Sequence, residues 1–242
     1  MHNSQTFEQN PNSQIKKKNS GTGRTLGRDI VTLESVTVDY GGHRALHNVN
    51  FSVRQGEIVF VTGVSGAGKT TLLNVIRGGI APTTGRVVRS LRKDALVAPI
   101  FQNLYLNEKL TIEKNLFTSF DRSIYKSEQE FRDDMNDFSK ILGIKDRLNL
   151  KVTDANGGLK QKAAFLRAML ARPTMILADE PTASLDYDNA KKMFEILNLY
   201  NVKQGLTVIW ASHNKDLVKR FSGRITHLDN GKLIYSGHAC FI

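Results

Sequence analysis

The chain of 242 residues has a single cysteine, Cys240, and no long apolar stretch. One cysteine excludes an internal disulfide, which is typical of proteins from a reducing compartment. No run approaches the roughly 18 consecutive apolar residues that a membrane-spanning helix needs, and the N-terminus lacks the apolar block of a signal peptide. These absences predict a cytoplasmic protein that reaches a membrane only through a partner.

Acidic residues are fewer than basic ones, 23 against 34, and the net charge is +11. Such a charge suits nucleic acid, anionic lipid or a polyanionic nucleotide. Only five basic and two acidic residues fall within the first 29, so the positive charge is spread along the whole chain. A diffuse excess does not favour nucleic acid as a partner.

Residues 1–29 are rich in Asn, Gln, Ser, Lys and Gly and nearly free of apolar residues. A segment of this composition cannot bury enough apolar surface to offset the entropy lost on ordering. We therefore predict a disordered, basic and polar tail over 1–29 and a folded domain over 30–242.

Antiparallel strands are indicated near both ends of the folded part. IVTLESVTV (30–38) is followed by a GGH turn and by strict alternation of apolar and polar residues at 49–53. RITHLDNGKLIYSG (224–237) also alternates, and it carries Asn230-Gly231, a strong hairpin signal. These patterns predict an antiparallel β subdomain.

Three short, nearly continuous apolar runs indicate buried parallel strands: EIVFVT (57–62), MILAD (175–179) and LTVIWAS (206–212). Helix-like segments separate them, which implies right-handed crossovers and a parallel sheet. Between the first two runs, SEQE (127–130) fits a capping box and predicts a helix over 127–142. Its apolar face is predicted to consist of Phe131, Met135, Phe138, Ile141 and Leu142.

GVSGAGKT (63–70) lies between a predicted buried strand and a predicted helix, and it fits the phosphate-binding pattern G-x-x-x-x-G-K-[ST]. Glycines let consecutive N–H groups point at one anion, and the helix N-terminus adds positive potential. Lys69 is expected to reach the β- and γ-phosphates, Thr70 to bind Mg²⁺ and Thr71 to bond a phosphate oxygen. The ligand is predicted to be a purine nucleoside triphosphate. The predicted contacts in this segment are Gly63, Val64, Ser65, Gly66, Ala67, Gly68, Lys69, Thr70 and Thr71.

The run MILADE (175–180) ends in two carboxylates and supplies a second part of such a site. Asp179 is predicted to hold Mg²⁺ through water, and Glu180 to act as the base that polarises the attacking water. His213 stands just beyond the apolar run at 206–212, and ligands of open α/β sheets bind beyond such strand ends. The sequence thus predicts an α/β fold of P-loop NTPase type, with a parallel-sheet core, an antiparallel β subdomain and a helical subdomain at about 104–170.

With the phosphate-binding loop and ADEPTASLD (178–186) both present, the chain resembles the nucleotide-binding subunit of ABC-type ATPases over residues 30–236. The resemblance implies that Tyr40 stacks on adenine and that Gln102 links Mg²⁺ and water to the membrane-facing surface. It also implies that His213 is a switch histidine near the γ-phosphate. Catalysis is therefore assigned to Glu180, His213 and Gln102, and metal binding to Thr70, Gln102 and Asp179.

DANGGLKQKAA (154–164) stands where that family carries Leu-Ser-Gly-Gly-Gln, at the mouth of a helix that contacts the γ-phosphate of the opposite subunit. Asn156 replaces the serine and Leu159 the glutamine, whereas Gly157 and Gly158 are retained. The glycines still allow close approach to phosphate, and the carboxamide retains an N–H donor. The resemblance implies a homodimer on ATP binding, in which hydrolysis is slow or depends on a partner.

FQNLYLNEKLTIEKNL (101–116) resembles the small ATPases of the cell-division, lipoprotein-release and macrolide-export group, although Asn107 and Lys114 depart from its pattern. Such subunits use ATP and Mg²⁺. ASLD (183–186) matches the segment that crosses the dimer interface in the ABC family. They lie on the inner face of the cell membrane, coupled to a separate transmembrane permease-like subunit. We predict that this coupling surface lies at about 103–126. It is expected to expose Leu104, Tyr105, Leu106 and Leu110.

Two other functions stay open. An ATP-binding scaffold with little or no hydrolysis is compatible with the altered signature at Asn156. A soluble ABC protein that acts on nucleic acid or ribosomes is compatible with the positive charge. Such proteins usually carry two fused ATPase modules or a long coiled-coil insertion, whereas this chain has one phosphate-binding loop and no heptads.

Overall fold

A computed structural model describes residues 27–214 and 218–238. Most of the predicted tail 1–29, as well as Cys240, lies outside the described residues. In chain order the strands are β1 (Asp29–Tyr40), β2 (His43–Arg54), β3 (Ile58–Thr62), β4 (Thr84–Arg89), β5 (Val97–Ile100), β6 (Met175–Asp179), β7 (Thr207–Ser212), β8 (Arg224–Asp229) and β9 (Lys232–His238). The α-helices are α1 (Lys69–Arg77), α2 (Ile112–Phe117), α3 (Glu128–Ile141), α4 (Gly157–Leu170) and α5 (Tyr187–Gln204), and short 3-10 helices lie at Lys145–Arg147 and Val152–Asp154.

A six-stranded sheet in the order β5-β6-β7-β3-β8-β9 forms the centre of the fold. Its first five strands are parallel, and β9 pairs antiparallel with β8. Every residue of β3, β6 and β7 is buried. This confirms the three predicted buried strands, whose continuous apolar character reflects cover on both faces.

Alternate residues of β3 point into two different hydrophobic cores, as the two-residue period of a strand requires. Ile58 and Phe60 belong to a core shared with α2, α3, α4 and α5. Val59 and Val61 belong to a core shared with α1 and the antiparallel sheet. The central sheet is therefore the middle layer between the helices on one face and the second sheet with α1 on the other.

The second sheet has three antiparallel strands in the order β2-β1-β4. The predicted hairpin of β1 and β2 is confirmed, and Val49, Phe51 and Val53 alternate as buried residues along β2. The predicted C-terminal hairpin is also confirmed, since β8 and β9 are joined through Asn230 and Gly231, both with positive φ. Two residues in the left-handed region match the type of turn that Asn-Gly favours.

The capping box at 127–130 forms with one change. Ser127 Oγ accepts a hydrogen bond from the Glu130 amide at 3.1 Å, as predicted, but the Glu130 carboxylate accepts from the amide of Lys126 at 2.9 Å. The predicted apolar face of α3 needs a correction at Ile141, which is 44% exposed. At about 100° per residue this position lies roughly 80° away from Phe131, outside the stripe that packs on the core.

The architecture is the α/β fold that the sequence predicts, with a parallel-sheet core, an antiparallel β subdomain and helices α2 to α4 at 112–170. Along the described part of the chain, no helix is both long and apolar enough to span a bilayer. The parallel strands bring their carboxyl ends to one edge of the sheet, where β3, β7 and β6 are direct neighbours.

Candidate functional site

A cavity of about 700 Å³ opens at the carboxyl edge of β3, β6 and β7. This is where ligands bind in open α/β sheets. Nearly all the residues predicted for a nucleotide site on one chain line it: Tyr40, Gly63, Val64, Ser65, Gly66, Gly68, Lys69, Thr70, Thr71, Gln102, Asp179, Glu180 and His213. The exception is Ala67, which is 2% exposed and contributes to the loop through its backbone.

The phosphate-binding loop requires glycine at three positions, for different physical reasons. A Cβ atom on Gly63 would come within 2.4 Å of the Leu228 carbonyl oxygen, and one on Gly68 within 2.4 Å of the Ala45 carbonyl oxygen. Gly66 has φ +81° and nothing within 4 Å of its Cβ position. Gly63 and Gly68 therefore pack the loop against the rest of the domain, and Gly68, with φ +104°, is also left-handed. Gly66 is left-handed too, but its side facing away from the backbone is open to a ligand.

Lys69 is the first residue of α1, and its side chain folds back over the loop. Its ammonium group donates to the carbonyl oxygens of Gly63 at 2.8 Å and Val64 at 3.1 Å. Its Nζ also lies 3.6 Å from Glu180 Oε1, with both side chains about nine-tenths buried. Among the residues that the structure describes, no side chain caps α1, so the N–H groups of its first turn can bind an anion beside this positive charge.

Oxygen donors suited to magnesium lie next to the loop. Thr70 Oγ1 donates to Asp179 Oδ2 at 2.5 Å, across the gap between α1 and the end of β6. Burial raises the pKa of Asp179, and the nearby charge of Glu180 adds to this, whereas the Thr70 hydrogen bond and Lys69 act in the opposite direction. Within 27–214 and 218–238 no cluster of three His, Cys, Asp or Glu residues could hold a metal. The hydroxyl of Thr70 and the carboxylate of Asp179 are adjacent oxygen donors, a pair that fits Mg²⁺ held jointly with phosphate oxygens and water, as Mg²⁺ commonly is.

Glu180 directly follows β6 and has φ +50°, a left-handed conformation that is costly for a residue with a side chain. Its Oε1 accepts a hydrogen bond from the backbone amide of His213 at 2.8 Å, and His213 Nδ1 lies 2.9 Å from the same oxygen. The end of β7 thus fixes the carboxylate of Glu180 inside the cavity. Such a positioned carboxylate can orient and polarise a water molecule.

Besides Ala183 of the ASLD segment, the cavity contains two residues that the sequence reasoning did not assign to the nucleotide site, His43 and Ala45. Both belong to the start of β2, opposite the exposed Tyr40 at the end of β1. The GGH turn after Tyr40 was the available signal, because a tight hairpin places the residues on either side of it next to each other.

The predicted signature residues line a second cavity of about 650 Å³. Asn156, Gly157 and Gly158 border it, and none of the residues around it also borders the first cavity. The carboxamide of Asn156 is the N-cap of α4, since its Oδ1 accepts from the Leu159 amide at 2.9 Å. One chain therefore presents two separate half-sites, one around Lys69 and one at the start of α4.

Gly157 and Gly158 pack against the loop that carries ASLD. A Cβ atom on Gly157 would lie 3.3 Å from Ser184 Oγ, and one on Gly158 would lie 3.0 Å from the Ser184 carbonyl oxygen. Ser184 is in turn held by α4, because its amide donates to Gln161 Oε1 at 2.9 Å. The glycines thus serve close packing within the chain, in addition to leaving the mouth of α4 open.

The phosphate-binding loop, the buried lysine and the carboxylates at the end of β6 define a P-loop ATPase. Comparison with known proteins gives the family within this class. The model of the ABC transporter family matches residues 46–183, more than half of the chain. This chain belongs to the ABC transporter family.

Among its relatives, the methionine import ATP-binding protein MetN 1 of Pectobacterium atrosepticum is 30% identical over 225 residues, which cover 86% of this chain and 66% of that protein. The chain thus spans about two thirds of the length of this relative. A protein of Staphylococcus haemolyticus named as a hemin import ATP-binding protein, HrtA, is 32% identical over 217 residues, covering 83% of this chain and 97% of that protein.

Solved structures agree with this assignment. The dimeric, post-hydrolysis structure of the ATP-binding cassette MJ0796, bound to ADP and Pi, is 29% identical to this chain with a TM-score of 0.74. The match covers 88% of this chain and 100% of that one. The fold similarity therefore extends over the antiparallel sheet, the central sheet and the helices together.

Proposed function

We propose that this chain is the ATP-binding and hydrolysing subunit of an ABC-type membrane transport complex, which works as a dimer with a separate transmembrane partner. One observation carries the proposal: Lys69, the Thr70–Asp179 pair and the Glu180–His213 pair converge in a single cavity. Each pair comes from different elements, so the arrangement depends on the whole fold.

In this proposal each group of the cavity has a role. The loop amides and Lys69 bind the β- and γ-phosphates, and the exposed ring of Tyr40 stacks on adenine at the cavity mouth. Thr70 and Asp179 would hold Mg²⁺ together with the phosphates, and the ion would supply positive charge to offset the charge that develops during phosphoryl transfer. Glu180 orients the attacking water, and His213 keeps the carboxylate in place.

Gln102 completes the cavity wall at the beginning of the segment that leads from β5 to α2. This position supports its proposed role as the link between the nucleotide and the surface at 103–126. Within that surface the prediction of four exposed apolar residues is only partly correct: Tyr105 is 65% exposed, but Leu104, Leu106 and Leu110 are half-buried. Leu106 packs against the helical core, so a test of partner binding is better made at Tyr105.

The two half-sites of one chain support a two-copy arrangement. Since the mouth of α4 and the phosphate-binding loop open into different cavities, a second copy can place its Asn156 and Gly157 against a phosphate bound at Lys69. The N-terminus of a 14-residue helix is a favourable environment for that phosphate. The dimeric state of the MJ0796 cassette supports the same proposal.

The names of the relatives favour transport as the purpose of the ATPase. Proteins for the import of methionine and of hemin match this chain. They do not support lipoprotein release, cell-division signalling or macrolide export, the functions suggested by the segment at 101–116, nor an action on nucleic acid. The direction of transport is therefore a separate question from the ATPase activity proposed for this chain.

The decisive experiment compares phosphate release from Mg-ATP by the purified full chain and by Glu180→Gln. The amide keeps the size of the carboxylate but cannot act as a base, so we expect turnover to fall by about 10²-fold or more while ATP binding is retained. Lys69→Ala is the matched control for loss of binding. Turnover that is equal in the native chain and in Glu180→Gln would reject hydrolysis at this site.

That result would leave an ATP-binding scaffold as the function. One observation favours this second candidate: Asn156 Oδ1 is used for the cap of α4, which leaves only its Nδ2 group to contact a phosphate. A scaffold would bind ATP and form the dimer, yet show no turnover above that of Glu180→Gln.

A further inference from the structure

Arg167 on α4 is bonded to the segment that follows Gln102. Its two terminal nitrogens donate to consecutive backbone carbonyls, that of Leu104 at 2.7 Å and that of Tyr105 at 2.6 Å. The planar guanidinium group suits this paired contact, because its N–H groups have a fixed fork geometry that an ammonium group lacks.

Placing the Arg167 guanidinium at this contact costs desolvation free energy, which a role in packing alone does not explain. Arg167 is partly buried, burial lowers the pKa of its guanidinium, and among the described residues it has no carboxylate partner. A desolvated cation needs compensating hydrogen bonds, and the two carbonyls provide them. Tyr105 has φ +49°, a conformation that persists in a non-glycine residue only where its surroundings hold it.

The same segment is fixed again a little further along. The side chain of the buried Asn115, on α2, accepts a hydrogen bond from the Asn107 amide at 2.7 Å and donates to the Asn107 carbonyl at 3.0 Å. Residues 104–107 are therefore attached to the helices, whereas Gln102 follows β5 of the central sheet and lines the nucleotide cavity.

α4 also connects this segment to the signature. Gly157 begins the helix and Arg167 lies near its other end, about 15 Å away at the rise of an α-helix. The helix is rigid because most of its residues between these two are buried in the core. Any displacement of the mouth of α4 is thus transferred to Arg167.

We propose that Arg167 is a positioning residue that makes the backbone of Leu104 and Tyr105 follow α4, so that closure of the signature on ATP moves the exposed Tyr105 side chain. This inference rests on the proposed function, since it needs ATP to engage the mouth of α4. When the helices move relative to the central sheet, the backbone is then expected to change conformation at Asn103, between Gln102 and the carbonyls bound by Arg167.

Spin-label distances in the full chain test this directly. The background is Glu180→Gln, which prevents turnover, with Cys240→Ser. A nitroxide at Tyr105→Cys is paired either with Lys140→Cys, at the end of α3 beside α4, or with Lys203→Cys, at the end of α5; both lysines are exposed. On adding Mg-ATP we expect the 105–203 distance to change by on the order of 2 Å, while the 105–140 distance stays constant.

Arg167→Met should abolish the ATP-dependent 105–203 change and broaden the 105–140 distribution, because the two carbonyls lose their donor. Arg167→Lys keeps the charge but offers a single donor point, and we expect part of the change to be restored. It replaces the Met variant if that variant does not fold. Ser119→Ala is the matched control: it removes the hydrogen bond that Ser119 Oγ donates to the Arg167 carbonyl at 2.8 Å and leaves the guanidinium contacts intact.

Binding of a fluorescent ATP analogue is measured in each variant. An unchanged 105–203 response in Arg167→Met, or a native 105–140 distance that changes as much as the 105–203 distance, would overturn the role of Arg167. Binding of ATP without any change at position 105 rejects this inference alone, whereas absence of ATP binding rejects the proposed function and the inference together.

Discussion

The carboxamide of Asn156 is only partly used within the chain. Its Oδ1 accepts the capping hydrogen bond from the Leu159 amide, so in the proposed two-copy arrangement only Nδ2 would remain for a phosphate. A serine hydroxyl at this position can accept the capping bond and donate its proton at the same time. Asn156, which replaces the serine of the family, is therefore an adequate cap for α4 but is less suited than serine to contact a phosphate.

We expect Asn156→Ser to raise ATP turnover by on the order of 10-fold, since an added well-placed donor stabilises the transition-state charge. Folding stability should change by less than about 0.5 kcal/mol, because Ser and Asn are similar N-caps. Asn156→Ala is the control and should lose about 1 kcal/mol with its cap. Steady-state phosphate release and urea denaturation measure the two effects, and equal turnover of the native chain and Asn156→Ser would show that the carboxamide donor is adequate.

At the same scale, the sequence predicted which residues share the nucleotide cavity better than how they contact each other. Lys69 follows from the phosphate-binding motif, and Asp179 and His213 follow from their places at the ends of predicted parallel strands, which reach one edge of the sheet. The cap at Asn156 and the displaced partner of Glu130 depend on side-chain rotamers, which the residue pattern does not encode.

The individual elements differ in how clearly the sequence indicates them. β3, β6 and β7 are predicted nearly to the residue because burial on both faces requires continuous apolar side chains. β4 was not predicted because it is a mostly exposed edge strand, and β5 because it is short and contains Pro99 at the sheet edge. α2 has only six residues, too few to show a helical period.

β8, which lies between β3 and the edge strand β9, is held by a buried ion pair. Arg224 at the start of β8 donates from Nε to Glu57 Oε1 at 2.6 Å, and Nη2 donates to the Ser52 carbonyl on β2 at 2.6 Å. The side chains of Arg224 and Glu57 are only 16% and 6% exposed. This cluster joins β8, β2 and the residue before β3.

We expect Arg224→Met to lower the free energy of unfolding by about 3–5 kcal/mol, because it leaves the Glu57 carboxylate buried without its partner. The double variant with Glu57→Gln should recover part of this loss, as it removes the unpaired charge. Arg132→Met, which breaks partly exposed ion pairs with Glu128 and Glu113, should cost about 1 kcal/mol or less and serves as the control. Urea denaturation measures the free energy of unfolding of each variant. Equal decreases for Arg224→Met and Arg132→Met would contradict the role of burial.

At the scale of the whole molecule, the proposed mechanism depends on the separation of two cavities. The mouth of α4 and the phosphate-binding loop line different cavities, so the proposed site would need a second copy to bring them together. Sequence reasoning reached this arrangement only through the family resemblance, because residue patterns within one chain carry no direct record of a contact between two copies. A substitution that harms only the two-copy state can therefore separate the dimer from the fold.

Gly157→Asp meets this requirement. In the monomer, a Cβ atom at position 157 approaches Ser184 Oγ at 3.3 Å, but an acidic residue in the first turn of α4 interacts favourably with the helix dipole, so folding stability should fall by no more than in Gly157→Asn. In the proposed dimer the same carboxylate would face the γ-phosphate and repel it. With Glu180→Gln and Mg-ATP, we expect light scattering to show a dimer for the parent and a monomer for Gly157→Asp. Gly157→Asn, which has the same size but no charge, should retain more of the dimer; equal dimerisation of both would place the signature away from the phosphate.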